Sequence, residues 1–284
     1  MADPLAPWFL GAYGENNDFF ERALLELVRD HVFWRRNFHP EDAPPITVRE
    51  QYDAVFLDGI ARTRQELHQL TAQLKRSVPF FHPRYVGHMV SELLMPGLIA
   101  QLVTTLYNPN NVVEESAPVT VKLELEVAQQ LAKMFGFDGQ PFGHLTSGGT
   151  VANDEGLWLA RAVRLYPLAV RDACEARGSW LDPRLRDDDF ALLNWSVADT
   201  LELLTRVRRE LPDLRAAVEE ARVENVGLAA FAAKHPLVAK LAVLAPATAH
   251  YSWKKAMKLL GLGAGQLLEV PTAHGRIDPR ALEA

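Results

Sequence analysis

The sequence predicts an α/β fold, a mostly parallel sheet with helices on its faces, entered through a helical arm. Three observations lead there. The apolar run LAVLAPAT (241–248), the helical HYSWKKAMKLLG (250–261) and a second apolar run, QLLEVPT (266–272), follow one another as strand, helix and strand. That succession is the unit of a parallel sheet. A strand-like HLT (144–146) precedes SGGT (147–150) and another helical run, which repeats the strand-to-helix step. From Asp18 to Arg36, apolar residues (Phe19, Phe20, Leu24, Leu27, Val28) return at helical spacing, so the chain begins with helix, not sheet.

The elements are expected in this order. After the first helix, HPEDAPPIT carries three prolines and must be extended. A second amphipathic helix follows from Thr47 to Lys75, and residues 1–85 therefore form a helical arm. An apolar helix from Gly97 to Tyr107 and a third amphipathic helix from Pro118 to Phe135 flank NPNNVVEES (108–116), a segment dense in turn formers. Residues 86–284 are expected to form the first part of a large domain. Its charged, Leu- and Ala-rich stretch at about 162–240, punctuated by Pro167, Pro183, Pro212 and Pro236, is an insertion of several helices.

Composition narrows the function. The 284 residues are 48% hydrophobic and 23% charged, enough for a sizeable core. Acidic residues outnumber basic ones, 36 to 30, for a net charge of -6, so no nucleic-acid footprint is expected. A single cysteine, Cys174, excludes an internal disulfide and a cysteine-based metal cluster, and fits the cytoplasm. The longest apolar stretch, Leu93 to Tyr107, is too short for a bilayer span, so no membrane association is expected.

Two stretches carry chemistry. SGGT before a helix presents free backbone N–H groups at the positive end of a helix dipole, which suits an anion. It matches neither the P-loop nor the G-x-G-x-x-G fingerprint. The same residues also fit a tight turn capped by Ser147. His250 stands at the carboxyl end of a strand, where α/β sheets bind ligands, and its imidazole suits stacking on a flat heterocycle or acid–base work. A histidine that merely caps the next helix is the alternative. Together the two strand ends suit a phosphorylated aromatic cofactor.

Six segments in a fixed order resemble the N-terminal half of the pyridoxal-phosphate-dependent group II amino-acid decarboxylases. They are DHVFWRRNFHPEDAPPIT, RYVGHMVSELLMPGLIA, NPNNVVEESAPVTVKLELEVAQQLAKMFGF, GHLTSGGTVANDEGLWLARA, HYSWKKAMKLLGLG and VPTAHGRIDPRAL. The bacterial tyrosine decarboxylase branch is the most similar. This resemblance implies fold-type I, the aspartate aminotransferase-like architecture, with an active site at a homodimer interface. It implies that Gly148, Gly149 and Thr150 cradle the phosphate of pyridoxal 5'-phosphate. His250 would stack on the pyridine ring and act as the catalytic residue of this chain, and His88 would line the substrate pocket. Glu114, Glu115 and Ser116 match a family segment near the pocket, although adjacent carboxylates in a turn also fit a solvated surface.

The resemblance further implies decarboxylation of an L-amino acid to the amine and carbon dioxide, with tyrosine or another aromatic amino acid expected first and glutamate or aspartate as the alternative. Ala249 stands where the tyrosine enzymes often carry lysine, and SGGT is closer to the wider family. In the family, the Schiff-base lysine and the aspartate that pairs with the pyridine nitrogen lie beyond the segment matching GRIDPRAL. Lys254, Lys255 and Lys258 occupy no such position. The expectation is therefore a C-terminal half, as a second chain or a continuation, that supplies the lysine. A non-catalytic subunit lacking it is the second alternative.

Overall fold

The computed structural model describes residues 3–139 and 141–283, apart from the side chain of Glu210. Contacts divide the chain into two compact units, Met1–Val127 and Ala128–Ala284.

In the first unit, α1 (Asn17–Phe38) packs against α4 (Met95–Tyr107). An aromatic cluster joins them: His31, only 4% exposed, meets Tyr107 edge-on at 4.5 Å, with Trp34 at 5.6 Å from Tyr107. The helix expected over Thr47 to Lys75 is two helices, α2 (Val48–Gln51) and α3 (Ala54–Leu74). One cap separates them: Asp53 accepts from the Val55 N–H at 2.8 Å and so satisfies a backbone donor that a continuous helix would have paired internally, while Thr47 and Glu50 form a reciprocal capping box at the start of α2. A cavity of about 690 Å³ lies among Leu10, Val78, Phe80, Phe81, Leu93 and Leu98. At its rim, Glu92 Oε1 accepts from the Gly11 N–H at 2.8 Å. Helix α5 (Thr120–Met134) runs across the division between the units.

The second unit is organised by α6 (Gly149–Arg177), 29 residues long. The region at about 162–240 was expected to be several helices punctuated at Pro167, Pro183, Pro212 and Pro236, yet α6 continues through Pro167. An interior proline costs about 3 kcal/mol. Burial offsets it, because every residue from Leu165 to Val170 is buried. The helix stops at Gly178, whose φ of 64° is left-handed, with the Ser179 N–H returning to the Cys174 carbonyl at 3.1 Å. That backbone reversal costs little for glycine alone. Gly178→Ala, with open space around its Cβ, is expected to lower stability by about 1 kcal/mol, read as a shift in the urea midpoint.

Around the C-terminal half of α6 wrap α7 (Asp189–Leu193), α8 (Val197–Glu210), α9 (Pro212–Ala221), α10 (Val223–Val226) and α11 (Leu228–Lys234). Leu165, Leu168, Leu185, Leu192, Leu203 and Val218 form the larger core cluster here. The expected insertion thus carries a core of its own. A buried polar knot closes it. His235, 2% exposed, meets Asp172 Oδ2 at 2.9 Å through Nε2 and receives Arg171 at 3.1 Å on Nδ1, while Arg171 also pairs with Asp189.

The βαβ unit follows as β1 (Val243–Pro246), α12 (Ser252–Leu259) and β2 (Leu267–Val270). The strands are parallel, in register from Val243↔Leu267 to Pro246↔Val270. A two-residue hairpin, β3 (Thr272–Ala273) with β4 (Arg276–Ile277), and a short α13 (Pro279–Glu283) complete it. The strand expected at His144–Thr146 is not formed: the segment enters α6 as irregular chain. A lone extended segment becomes a strand only when a neighbour supplies a ladder, and the parallel sheet of the described residues has two strands. Leu244 and Leu268, paired across them, are 57% and 48% exposed.

Candidate active site

The second unit brings two of the sequence-predicted features onto adjoining elements. Gly148 caps α6 with φ 155° and ψ 167°, a backbone conformation open essentially to glycine, and no side chain caps the helix. Ser147 therefore does not play the capping role that a purely structural turn would give it. The Thr146 hydroxyl donates instead to the Gly148 carbonyl at 3.0 Å. Among the described residues, no backbone acceptor meets the N–H groups of Gly149, Thr150 or Val151. A Cβ placed on Gly148 or Gly149 would find no atom within 4 Å. The helix thus opens onto free space with its positive end bare, which is the arrangement an anion needs.

His250 is exposed, four residues beyond the end of β1, with the Tyr251 ring 4.1 Å away. It does not stand alone: its Nδ1 accepts from the backbone N–H of Ser252, the first residue of α12, at 3.3 Å, the contact a histidine serving the next helix would make. Its Nδ1 lies 2.9 Å from Ser252 Oγ, and Ser252 Oγ accepts from Asn153 Nδ2 at 2.8 Å. Asn153 sits four residues into α6 from Gly149, about 6 Å along the axis. The two helices then run together. Leu157 is buried against Ala256 and Met257, and Arg161 donates to the Leu260 carbonyl at 2.8 Å. Contacts at 153, 157 and 161 on one helix meet 252, 256 and 260 on the other, the four-residue ridges of helix packing.

The sequence reading assigned no role to Asn153 or Ser252. Their signal was there: one lies a helical turn from the glycines, the other two residues past the histidine. The same holds for His144, whose Nδ1 lies 3.0 Å from Glu155 Oε2 and ties the entry segment to the second turn of α6.

His88 belongs to the first unit and is described within it. It is exposed, in a left-handed turn with φ 40°, and its Nδ1 lies 3.2 Å from the Tyr85 hydroxyl. This differs from a packed helix-entry histidine. Glu114 and Glu115 are exposed, and Ser116 donates to the carbonyls of Asn110 and Val113 at 2.6 and 3.0 Å, a turn-closing role. Lys254, Lys255 and Lys258 lie on the solvent face of α12, with Lys255 4.6 Å over the Tyr251 ring. Among the described residues no group of His, Cys, Asp and Glu could hold a metal ion, and no helix is long and apolar enough to cross a membrane.

An uncapped helix N-terminus tied to an imidazole beside a parallel strand pair defines an α/β unit. The solved glutamate decarboxylase domain of diaminobutyrate-pyruvate transaminase and L-2,4-diaminobutyrate decarboxylase from Vibrio parahaemolyticus has this fold, with a TM-score of 0.52 and 14% identity over 95% of this chain and 47% of that one. No family model matches the chain. It is 33% identical over 283 residues to the L-tyrosine decarboxylase of Levilactobacillus brevis, which is 97% of this chain and 42% of that enzyme. With the L-tyrosine decarboxylase of Enterococcus faecium it shares 34% over 281 residues, 97% of this chain and 43% of that enzyme. Along nearly its whole length the chain is thus similar to L-tyrosine decarboxylases, and it spans less than half the length of these relatives.

Proposed function

We propose that this chain forms part of a pyridoxal-phosphate-dependent decarboxylase that converts an L-amino acid, tyrosine first, to its amine and carbon dioxide. One observation carries this reading: the bare N-terminus of α6 and the imidazole of His250 are joined through Asn153 and Ser252. Similarity to tyrosine decarboxylases along 97% of the chain supports the substrate.

The residues fit the cofactor. Backbone N–H groups of Gly149 and Thr150, with the Thr150 hydroxyl, would hold the phosphate, and the absent Cβ of Gly148 and Gly149 leaves room for its close approach. His250 would lie against the pyridine ring, and His88 would serve the substrate pocket. The chemistry that pyridoxal phosphate supplies when bound is an electron sink for the pair left on Cα as carbon dioxide departs. This chain's part is to hold the phosphate rigidly and to keep the imidazole of His250 near the ring, so that the ring's orientation is set by protein on two sides.

The lysine that anchors the cofactor is assigned to further polypeptide. The accessible surface of 21453 Å² supports its existence, since even two separate compact domains of these lengths would expose roughly 15,000 Å². Leu244 and Leu268 leave a sheet face bare, whereas parallel sheets are covered on both faces. We assign the complete unit to a homodimer in the cytoplasm.

Incubating the complete assembly with pyridoxal phosphate and a panel of amino acids tests the reading, with tyramine and carbon dioxide from tyrosine as the expected products. Binding of the cofactor without release of carbon dioxide from any amino acid would overturn it. Thr150→Val is expected to weaken cofactor affinity by about 1.5–3 kcal/mol, the value of one charge-assisted hydrogen bond. Equal affinity in a fluorescence titration would remove Thr150 from the phosphate site.

A further inference from the structure

Ser252 is fully buried at the first position of α12, a place where a polar side chain must be satisfied by protein. Its backbone N–H points at His250 Nδ1 from 3.3 Å, and its Oγ lies 2.9 Å from the same nitrogen. A backbone N–H only donates, so Nδ1 presents its lone pair. Asn153 Nδ2 donates to Ser252 Oγ at 2.8 Å, which leaves the hydroxyl proton directed at Nδ1. Two donors from one residue converge on a single ring nitrogen. A neutral imidazole has one acceptor and one donor nitrogen, and its ring proton is therefore placed on Nε2.

We propose that Ser252 and Asn153 are positioning residues that hold His250 as its Nε2–H tautomer, so that the histidine enters the cofactor site as a hydrogen-bond donor and not as a base. The relay starts on α6, the helix whose N-terminus forms the anion turn. Ring orientation and anion turn are consequently fixed on one rigid element. This rests on the cofactor reading for its use in the reaction, though the tautomer itself does not depend on any ligand.

The experiment uses the cofactor-free, full-length protein with 15N-labelled histidine. The His250 resonances are identified as the signals lost in His250→Asn, and two-bond 1H–15N spectra report the protonation of each ring nitrogen. The expected wild-type result is a bare Nδ1 and a protonated Nε2, with widely separated resonances. In Ser252→Ala, which keeps only the longer backbone donor at 3.3 Å, the two resonances should move toward each other as the second tautomer becomes populated. Asn153→Asp offers a carboxylate in place of the amide donor. It accepts the serine proton, turns the Oγ lone pair toward the ring and should shift the population to Nδ1–H. Asn153 is only half-buried, so this variant does not depend on refilling the buried serine site. A wild-type His250 protonated on Nδ1, or an unchanged tautomer in both variants, overturns the proposal. Adding pyridoxal phosphate to the same samples separates the two ideas: a fixed Nε2–H tautomer without cofactor binding leaves the relay standing and removes the cofactor.

Discussion

Gly149→Asp is expected to abolish binding of pyridoxal phosphate at micromolar concentrations while leaving the ligand-free protein at least as stable as before. The two effects have opposite signs because they act on one dipole. A carboxylate in the first turn of α6 interacts favourably with the helix terminus, by about 0.3–1 kcal/mol. Space is available for the side chain, since nothing lies within 4 Å of a Cβ at Gly149. The same carboxylate occupies the anion's place. Two unit charges about 5 Å apart repel by roughly 3 kcal/mol at an effective dielectric of 20, a loss of affinity on the order of 100-fold. Gly149→Asn, similar in shape but neutral, should lose far less. Cofactor titration by absorbance and thermal unfolding without ligand read the two arms. An aspartate variant that binds as tightly as the parent would place the phosphate elsewhere.

Leu168→Ala should cost roughly 2–5 kcal/mol, the range for a buried leucine whose cavity cannot close. Leu168 has no exposed surface, and it sits one residue past Pro167 at the centre of the larger core. Collapse around it is opposed by the buried pairing of His235 with Asp172 on the next turn of the same helix. Denaturant unfolding gives the magnitude, and hydrogen exchange gives the location. Protection should fall first in α6 beyond Leu165 and in α8 to α11, because these elements share the core. A loss below about 1 kcal/mol, the size of a surface substitution, would show that this helical region is not packed around α6.

The elements were legible wherever a local signal specified them. Helical spacing located α1 and α4, and the apolar runs around HYSWKKAMKLLG located β1 and β2. The boundary at Thr47 to Asp53 was written in capping residues and was passed over because the apolar period continues across it. Pro167 misled for the opposite reason. Its local penalty argues for a break, and six consecutive buried residues outweigh it. The missing strand at His144–Thr146 is the third case, since a ladder needs a neighbour that no residue of the segment itself encodes.

At the site the same division holds. Two glycines before a helix and a histidine after a strand are short-range patterns, so residue types alone marked SGGT and His250 as an anion turn and an imidazole beside a flat ligand. That Asn153 reaches Ser252, and Arg161 the Leu260 carbonyl, each across 99 positions, are contacts between distant segments. No periodicity records such contacts. They exist because α6 and α12 pack along matching four-residue ridges, and that packing free energy, not the preference of any one residue, sets which way the imidazole proton faces.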